Sequence, residues 1–225
     1  HVRSRRQRQM CIRDSHHSAQ PSAHHVGIEV GTVRLRLVTT GPVVMVDARL
    51  QERLDALAAE MTTGIVAIDG PSGAGKSTLA DALMATLAAN GTGAVLVRTD
   101  DFATWDNPVA WWPELESDVL QAFIRRHDYQ YRPRVWRDGV PERGARVWRR
   151  WEPLLVIEGV SSARRRIADR LSHALWLDGA PAAERLERAV ARDGEASRPH
   201  LQRWQRFERG WFAVDRTRDR CLVLD

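Results

Sequence analysis

Between a short apolar run ending at Asp69 and a leucine-striped segment starting at Ser77 lies Gly70-Pro71-Ser72-Gly73-Ala74-Gly75-Lys76-Ser77. This is a complete G-x-x-x-x-G-K-[ST] phosphate-binding loop. Lys76 is the chain's only lysine among 34 lysines and arginines, so an arginine-biased sequence keeps a compact ammonium at one place. A point charge that reaches between the β- and γ-phosphates of a triphosphate is the role in which a planar guanidinium substitutes poorly.

The flanking residues supply the structural context that the loop needs. Thr63-Gly64-Ile65-Val66-Ala67-Ile68-Asp69 reads as a buried parallel strand. Ser77 to Leu87 places Leu79, Leu83 and Leu87 four residues apart, the stripe of a helix lying on a sheet. Gly70, Ser72, Gly73, Ala74, Gly75 and Lys76 are expected to turn N–H groups and the ammonium toward ATP, with Ser77 ligating Mg²⁺. Thr78 ends the nucleotide-contacting segment and is read as packing or capping rather than coordinating.

A 225-residue chain with 43% hydrophobic residues is long enough for one sizeable α/β core. Of the formal charge of +5, residues 1–25 contribute +4 through five arginines against one aspartate. The rest is nearly neutral, which argues against a nucleic-acid footprint. Residues 1–25 also hold five of the eight histidines and have no hydrophobic period, and Gln9 to Ser15 resembles a translated sequencing-adapter peptide. They are read as a disordered or artefactual tail, too poor in apolar residues for a signal peptide or membrane span. Residues 26–46 alternate weakly and form an extension of uncertain class. From 47 onward the sequence reads as the catalytic domain, opening on a helix over Asp47–Met61 with Asp47 as cap and Leu50, Leu54, Leu57 and Met61 on one face. Cys11 and Cys221 make no metal pattern and suggest a reducing, cytoplasmic setting.

Downstream, Ala94–Thr99, Pro153–Glu158, Ala174–Asp178 and Cys221–Leu224 read as four more strands, and Pro181–Asp193 as a helix with Leu186 and Val190 on one side. Alternating strands and helices predict a three-layer α/β P-loop NTPase fold with about five parallel strands, its ligands at the strands' C-terminal ends. Asp100 and Asp101 follow the second strand, where a carboxylate could accept a proton from an attacking hydroxyl. Asp101 is the expected base and Asp100 its orienting neighbour, with a turn or helix cap as the structural alternative. Glu158 ends the third strand where a Walker-B aspartate would stand, and could hold the water shell of the metal or the acceptor.

In this order, Gly70–Thr78, Thr99-Asp100-Asp101-Phe102, Val156-Ile157-Glu158-Gly159 and Arg185-Leu186-Glu187-Arg188-Ala189-Val190-Ala191-Arg192-Asp193 resemble the uridine kinase-like family of P-loop kinases over about residues 60–225. The resemblance implies Mg-ATP as donor, an aspartate after the second strand as base, and a helical lid carrying Arg185, Arg188 and Arg192, of which Arg192 would neutralise charge on the transferred group. Two departures bear on substrate. Tyr131-Arg132-Pro133-Arg134-Val135-Trp136 has valine where the family's nucleoside-reading aspartate would fall, and Gly194-Glu195-Ala196-Ser197-Arg198 replaces the usual glycine-arginine continuation of the lid.

The segment 103–152 is expected to select the acceptor, because Trp105, Trp111, Trp112, Trp136, Trp148, Trp151, Tyr129 and Tyr131 lie in it among arginines. Aromatic faces beside guanidinium groups suit a nucleobase, a sugar or another flat polar acceptor. Tyr131, Trp136, Asp100, Asp101 and Glu158 are the substrate-contacting candidates, and packing of a small subdomain is the alternative reading for any one tryptophan. The chain therefore reads as a cytoplasmic small-molecule kinase acting on an alcohol, with a nucleoside among the acceptors considered. The competing class is a nucleotide-binding regulator with little turnover. The Asn-Lys-x-Asp signature of GTPases is excluded, since the one lysine sits in the phosphate loop.

Overall fold

The structure is a computed structural model that describes residues 48–137 and 140–224. The expectations for residues 1–25 and 26–46, and for Asp47 as a cap, lie outside the described residues.

Five strands form one parallel sheet: β1 (Gly64–Asp69), β2 (Ala94–Arg98), β7 (Leu154–Glu158), β8 (Leu171–Leu177) and β9 (Leu222–Leu224). Their order is β2-β7-β1-β8-β9, with β1 central. Each anticipated strand is present, shifted by three residues or fewer at either end. Alternation along the strands explains the layers. Val66, Ile68, Leu154 and Val156 face α1 (Ala48–Glu60) and α2 (Lys76–Ala89), meeting Leu54, Met61, Leu79, Leu83 and Leu87. The intervening Ile65, Leu155 and Ile157 point the other way, onto Phe102, Trp111, Leu115 and Leu120.

That second face is covered by the segment between β2 and β7. It comprises α3 (Trp112–Leu115), a π turn (Glu116–Leu120), α4 (Gln121–Ile124), and two antiparallel ribbons that the sequence does not announce. One ribbon pairs β3 (Tyr129–Tyr131) with β6 (Val147–Arg149), and the other pairs β4 (Arg134–Arg137) with β5 (Val140–Arg143). Beyond β8 come α5 (Ala182–Asp193) and α6 (Arg198–Asp215). α5 was anticipated and α6 was not, because α6 buries only Leu201 and Glu208, so a glutamate interrupts its inward stripe. Ala189, Val190 and Leu201 join the two helices, with Trp105 packed against them.

Register brings the chemistry-bearing strand ends to one level. Ile68 pairs with Glu158 and Arg98 with Glu158, so Asp69, Glu158 and Arg98 finish at the C-terminal edge beside the central strand, where connections run off to both sides. Among the described residues no helix is long and apolar enough to cross a membrane.

Candidate active site

The phosphate loop folds as its glycines dictate. Gly70 has φ 142°, and a Cβ there would collide with the Leu177 carbonyl, so no other residue leaves β1 in this direction. Asp69, fully buried, fastens the turn by accepting from the N–H groups of Gly70 at 2.7 Å, Ser161 at 2.9 Å and Ala163 at 2.9 Å. Burial nevertheless pushes its carboxyl up to about 6, with those N–H donors and Lys76 pulling the other way. At the helix start, Gly75 is left-handed and no side chain caps α2. The first N–H groups of a 14-residue helix therefore carry their partial positive charge to the loop with no capping side chain in between. This is the donor set that a polyphosphate takes, and the loop fits one.

Lys76 is buried and its Nζ donates to the Pro71 carbonyl at 3.0 Å, folded back across the loop. Ser77 is exposed and its Oγ donates to Glu158 Oε2 at 3.2 Å. Thr78 is half-buried behind them. Glu158 also receives Arg98 Nη1 at 2.9 Å, and Arg98 reaches Asp81 on α2 at 2.7 Å. Burial raises the Glu158 carboxyl above its ordinary range, opposed by Lys76 and Arg98. A hydroxyl and a carboxylate at the loop's mouth are the two protein oxygens that Mg²⁺ needs when phosphates and water complete its shell.

The two aspartates after β2 occupy different environments. Asp100 is exposed and lines a cavity of about 80 Å³. Asp101 turns inward and accepts from the Tyr131 hydroxyl at 2.8 Å. Burial lifts Asp101 to about 6, the Tyr131 hydrogen bond lowers it, and the Asp100 charge adds to the rise. Tyr131 is itself 3% exposed, stacks on Phe102 and is absent from the cavity wall, so it stands behind a carboxylate rather than in front of an acceptor.

The cavity joins parts of the chain that lie far apart in sequence. Ser72 and Asp100 stand with Trp105, Trp136, Trp204, Leu201, Arg192 and Asp193. Trp105 meets Trp136 edge-on at 5.0 Å and Trp204 at 5.8 Å, and stacks on His200 at 4.8 Å. Arg192 donates through Nε and Nη2 to both oxygens of Asp193, each at 2.8 Å. Of the six tryptophans in the segment expected to select the acceptor, only Trp105 and Trp136 line this space. Trp111 and Trp112 are buried around Arg164, whose guanidinium lies 4.8 and 4.7 Å from their rings. Trp151 packs on Phe123, and Trp148 is 61% exposed. Of the other two arginines expected to act with Arg192 on α5, Arg185 Nε donates to the Ser72 carbonyl at 3.1 Å, while Arg188 pairs with Glu184 on the exposed side.

Sequence reasoning missed Trp204, Glu208 and Arg98. The first two sit on the unrecognised α6. Arg98 is legible only once the register sets it opposite Glu158.

No protein-family model and no curated protein matches the chain. Among solved structures, a possible uridine kinase from Bacillus stearothermophilus superposes with a TM-score of 0.57 at 18% identity, over 79% of this chain and 100% of that one. The chain has the P-loop kinase fold. A protein assigned as a fructose transport system kinase from a Silicibacter species is 21% identical over 69% of this chain and 95% of its own, with a TM-score of 0.43.

Proposed function

We propose that the protein is a cytoplasmic, ATP- and Mg²⁺-dependent kinase that phosphorylates a hydroxyl of a small molecule held in the tryptophan-lined cavity. The observation that carries this reading is that Ser72 of the phosphate loop and the exposed carboxylate of Asp100 line one cavity with Trp105, Trp136 and Arg192. A donor site and an acceptor site that share a wall suit direct transfer. Uridine kinase-like architecture supports a nucleoside as one acceptor class. The loss of an acidic reader near Tyr131 and the apolar character of the wall leave other alcohols equally open to the test.

In this reading the loop N–H groups of Ser72–Ser77 and the Lys76 ammonium bind and orient the polyphosphate. Ser77 and Glu158 would hold Mg²⁺, which when bound neutralises charge on the phosphate oxygens. The acceptor oxygen forms a bond to the γ-phosphorus as the bond to the β–γ bridging oxygen breaks, and ADP leaves with that electron pair. Asp100 takes the acceptor's proton, since it faces the cavity, and Asp101 sits behind it as the orienting partner anchored by Tyr131. The geometry thus favours the reverse of the roles expected from sequence. Arg192, held flat by Asp193, is near enough to the cavity to meet charge on the transferred group.

The test is Mg²⁺-dependent ADP release across a panel of nucleosides, sugars and other alcohols, with Lys76→Ala as control. Stimulation by one acceptor, reduced roughly 10²–10³-fold in the control, is the expected result. Tight ATP binding with no stimulating acceptor would overturn the kinase in favour of a nucleotide-binding regulator.

A further inference from the structure

One buried charge at the loop has no part in that mechanism. Glu208 on α6 is 2% exposed, yet its side chain ends against the phosphate loop. Its Oε2 accepts from the Ser72 N–H at 3.0 Å, and its Oε1 accepts from the Ser72 hydroxyl. Burial raises the carboxyl above its ordinary range, and Lys76 is the largest opposing influence. From α5, Arg185 grips the Ser72 carbonyl at 3.1 Å, and a Cβ on Gly73 would lie 3.0 Å from Arg185 Cβ. The outer limb of the loop is thus held between α5 and α6, while Lys76 donates inward to Pro71.

A carboxylate that takes a loop N–H and a loop hydroxyl, near the loop's only ammonium, presents what two oxygens of a phosphate would present. Its position says which phosphate. Ser72 lines the same cavity as Asp100 and Arg192, so its donors lie on the side where the transferable phosphoryl group meets an acceptor. We propose that Glu208 is an internal stand-in for the terminal phosphate, seated on Ser72 until a nucleoside triphosphate displaces it. Two anions cannot share those donors, so a triphosphate must release Glu208 and loosen α6 from the loop, whereas a diphosphate leaves the contact in place. The tryptophan wall is coupled to the same event, because Trp204 lies on α6 one helical turn from Glu208 and touches Trp105. Terminal-phosphate binding would then reshape the acceptor cavity, and loss of that phosphate would restore it. The inference rests on reading Gly70–Thr78 as a nucleotide site and is independent of which acceptor is used.

The experiment titrates the full chain with Mg-ATP and Mg-ADP by calorimetry, in the wild type and in Glu208→Gln, which keeps the shape and removes the charge. The expected result is an ATP dissociation constant at least tenfold lower in the variant, with that for ADP changed less than twofold. A second measurement needs no variant. Amide hydrogen exchange across residues 198–215 of the wild type should quicken with a non-hydrolysable ATP analogue and stay unchanged with ADP. Weaker ATP binding in Glu208→Gln, equal shifts for both nucleotides, or slowed or unchanged exchange in α6 with the analogue would each overturn the proposal. Failure of the wild type to bind either nucleotide would overturn the nucleotide-site reading first, and this one with it.

Discussion

The phosphate loop and the tryptophan-lined cavity meet at Ser72, yet they are built in different ways. Around the loop the working groups are consecutive main-chain N–H donors, ordered by two backbone turns and the start of α2. Around the cavity they are side chains from four separate stretches, with Asp100 and Trp105 after β2, Trp136 on β4, Arg192 on α5 and Trp204 on α6. A site made of backbone tolerates much change in side chains but little in glycine, and a site made of side chains is the reverse. Substitutions on the two sides should therefore fail differently.

The sharpest break falls on the pair of aspartates between them. Asp100→Asn should lower kcat roughly 10²–10⁴-fold, the usual cost of removing a general base, with the affinity for ATP little changed. Asp101→Asn should cost far less, because Tyr131 can donate to the asparagine oxygen as it does to the carboxylate. Steady-state kinetics of the two variants side by side decides the assignment, and a larger loss at Asp101 would return the base to the position expected from sequence. Next in size is Gly70→Ala, which drives a methyl into the Leu177 carbonyl at a φ of 142°. Urea denaturation should show a loss of about 2–4 kcal/mol, a backbone effect with no counterpart at the cavity. Trp105→Ala should be milder for the fold and selective in kinetics. Losing one stacking face is worth about 1–3 kcal/mol, so the acceptor KM should rise roughly 10- to 100-fold while that for ATP holds.

The same contrast explains what could be read in advance. The loop, the five strands and α5 were legible because each is a local pattern, whether a spaced motif, an apolar run or a striped helix. α6 was not, since Glu208 interrupts the inward stripe that Leu201, Trp204, Trp211 and Phe212 form. The paired ribbons of the insert depend on contacts between segments such as Tyr129 and Arg149 that no local period records. The aromatic richness of the insert is plain in the sequence, but which of its tryptophans line the cavity is not. Trp111 and Trp112 look identical in sequence to Trp105, and only the buried Arg164 between their rings marks them as core. Which of Asp100 and Asp101 faces the cavity could not be read from sequence either, because Asp101 is turned inward by Tyr131, thirty residues downstream.

The smallest expected effect is one of stability and tests that last point directly. Asp101 titrates at about 6 in the folded protein against an ordinary 3.8, so the folded state holds its proton more tightly than the unfolded one. A group raised in this way contributes stability that is fully present below about pH 3.8 and is lost as the pH climbs through about 6. Above pH 7 the wild type therefore carries an ionised, partly buried carboxylate beside Asp100, a burden that Asp101→Asn removes while keeping the Tyr131 bond. The variant should be more stable than the wild type by about 1–2 kcal/mol at pH 8, after allowing for the solvent that reaches this side chain, and the gap should close toward pH 4. Urea denaturation at pH 4, 6 and 8 checks this. A gap that stays constant with pH would mean that packing, and not charge, separates the two proteins, and it would remove the electrostatic reason for placing Asp101 behind Asp100 rather than at the acceptor.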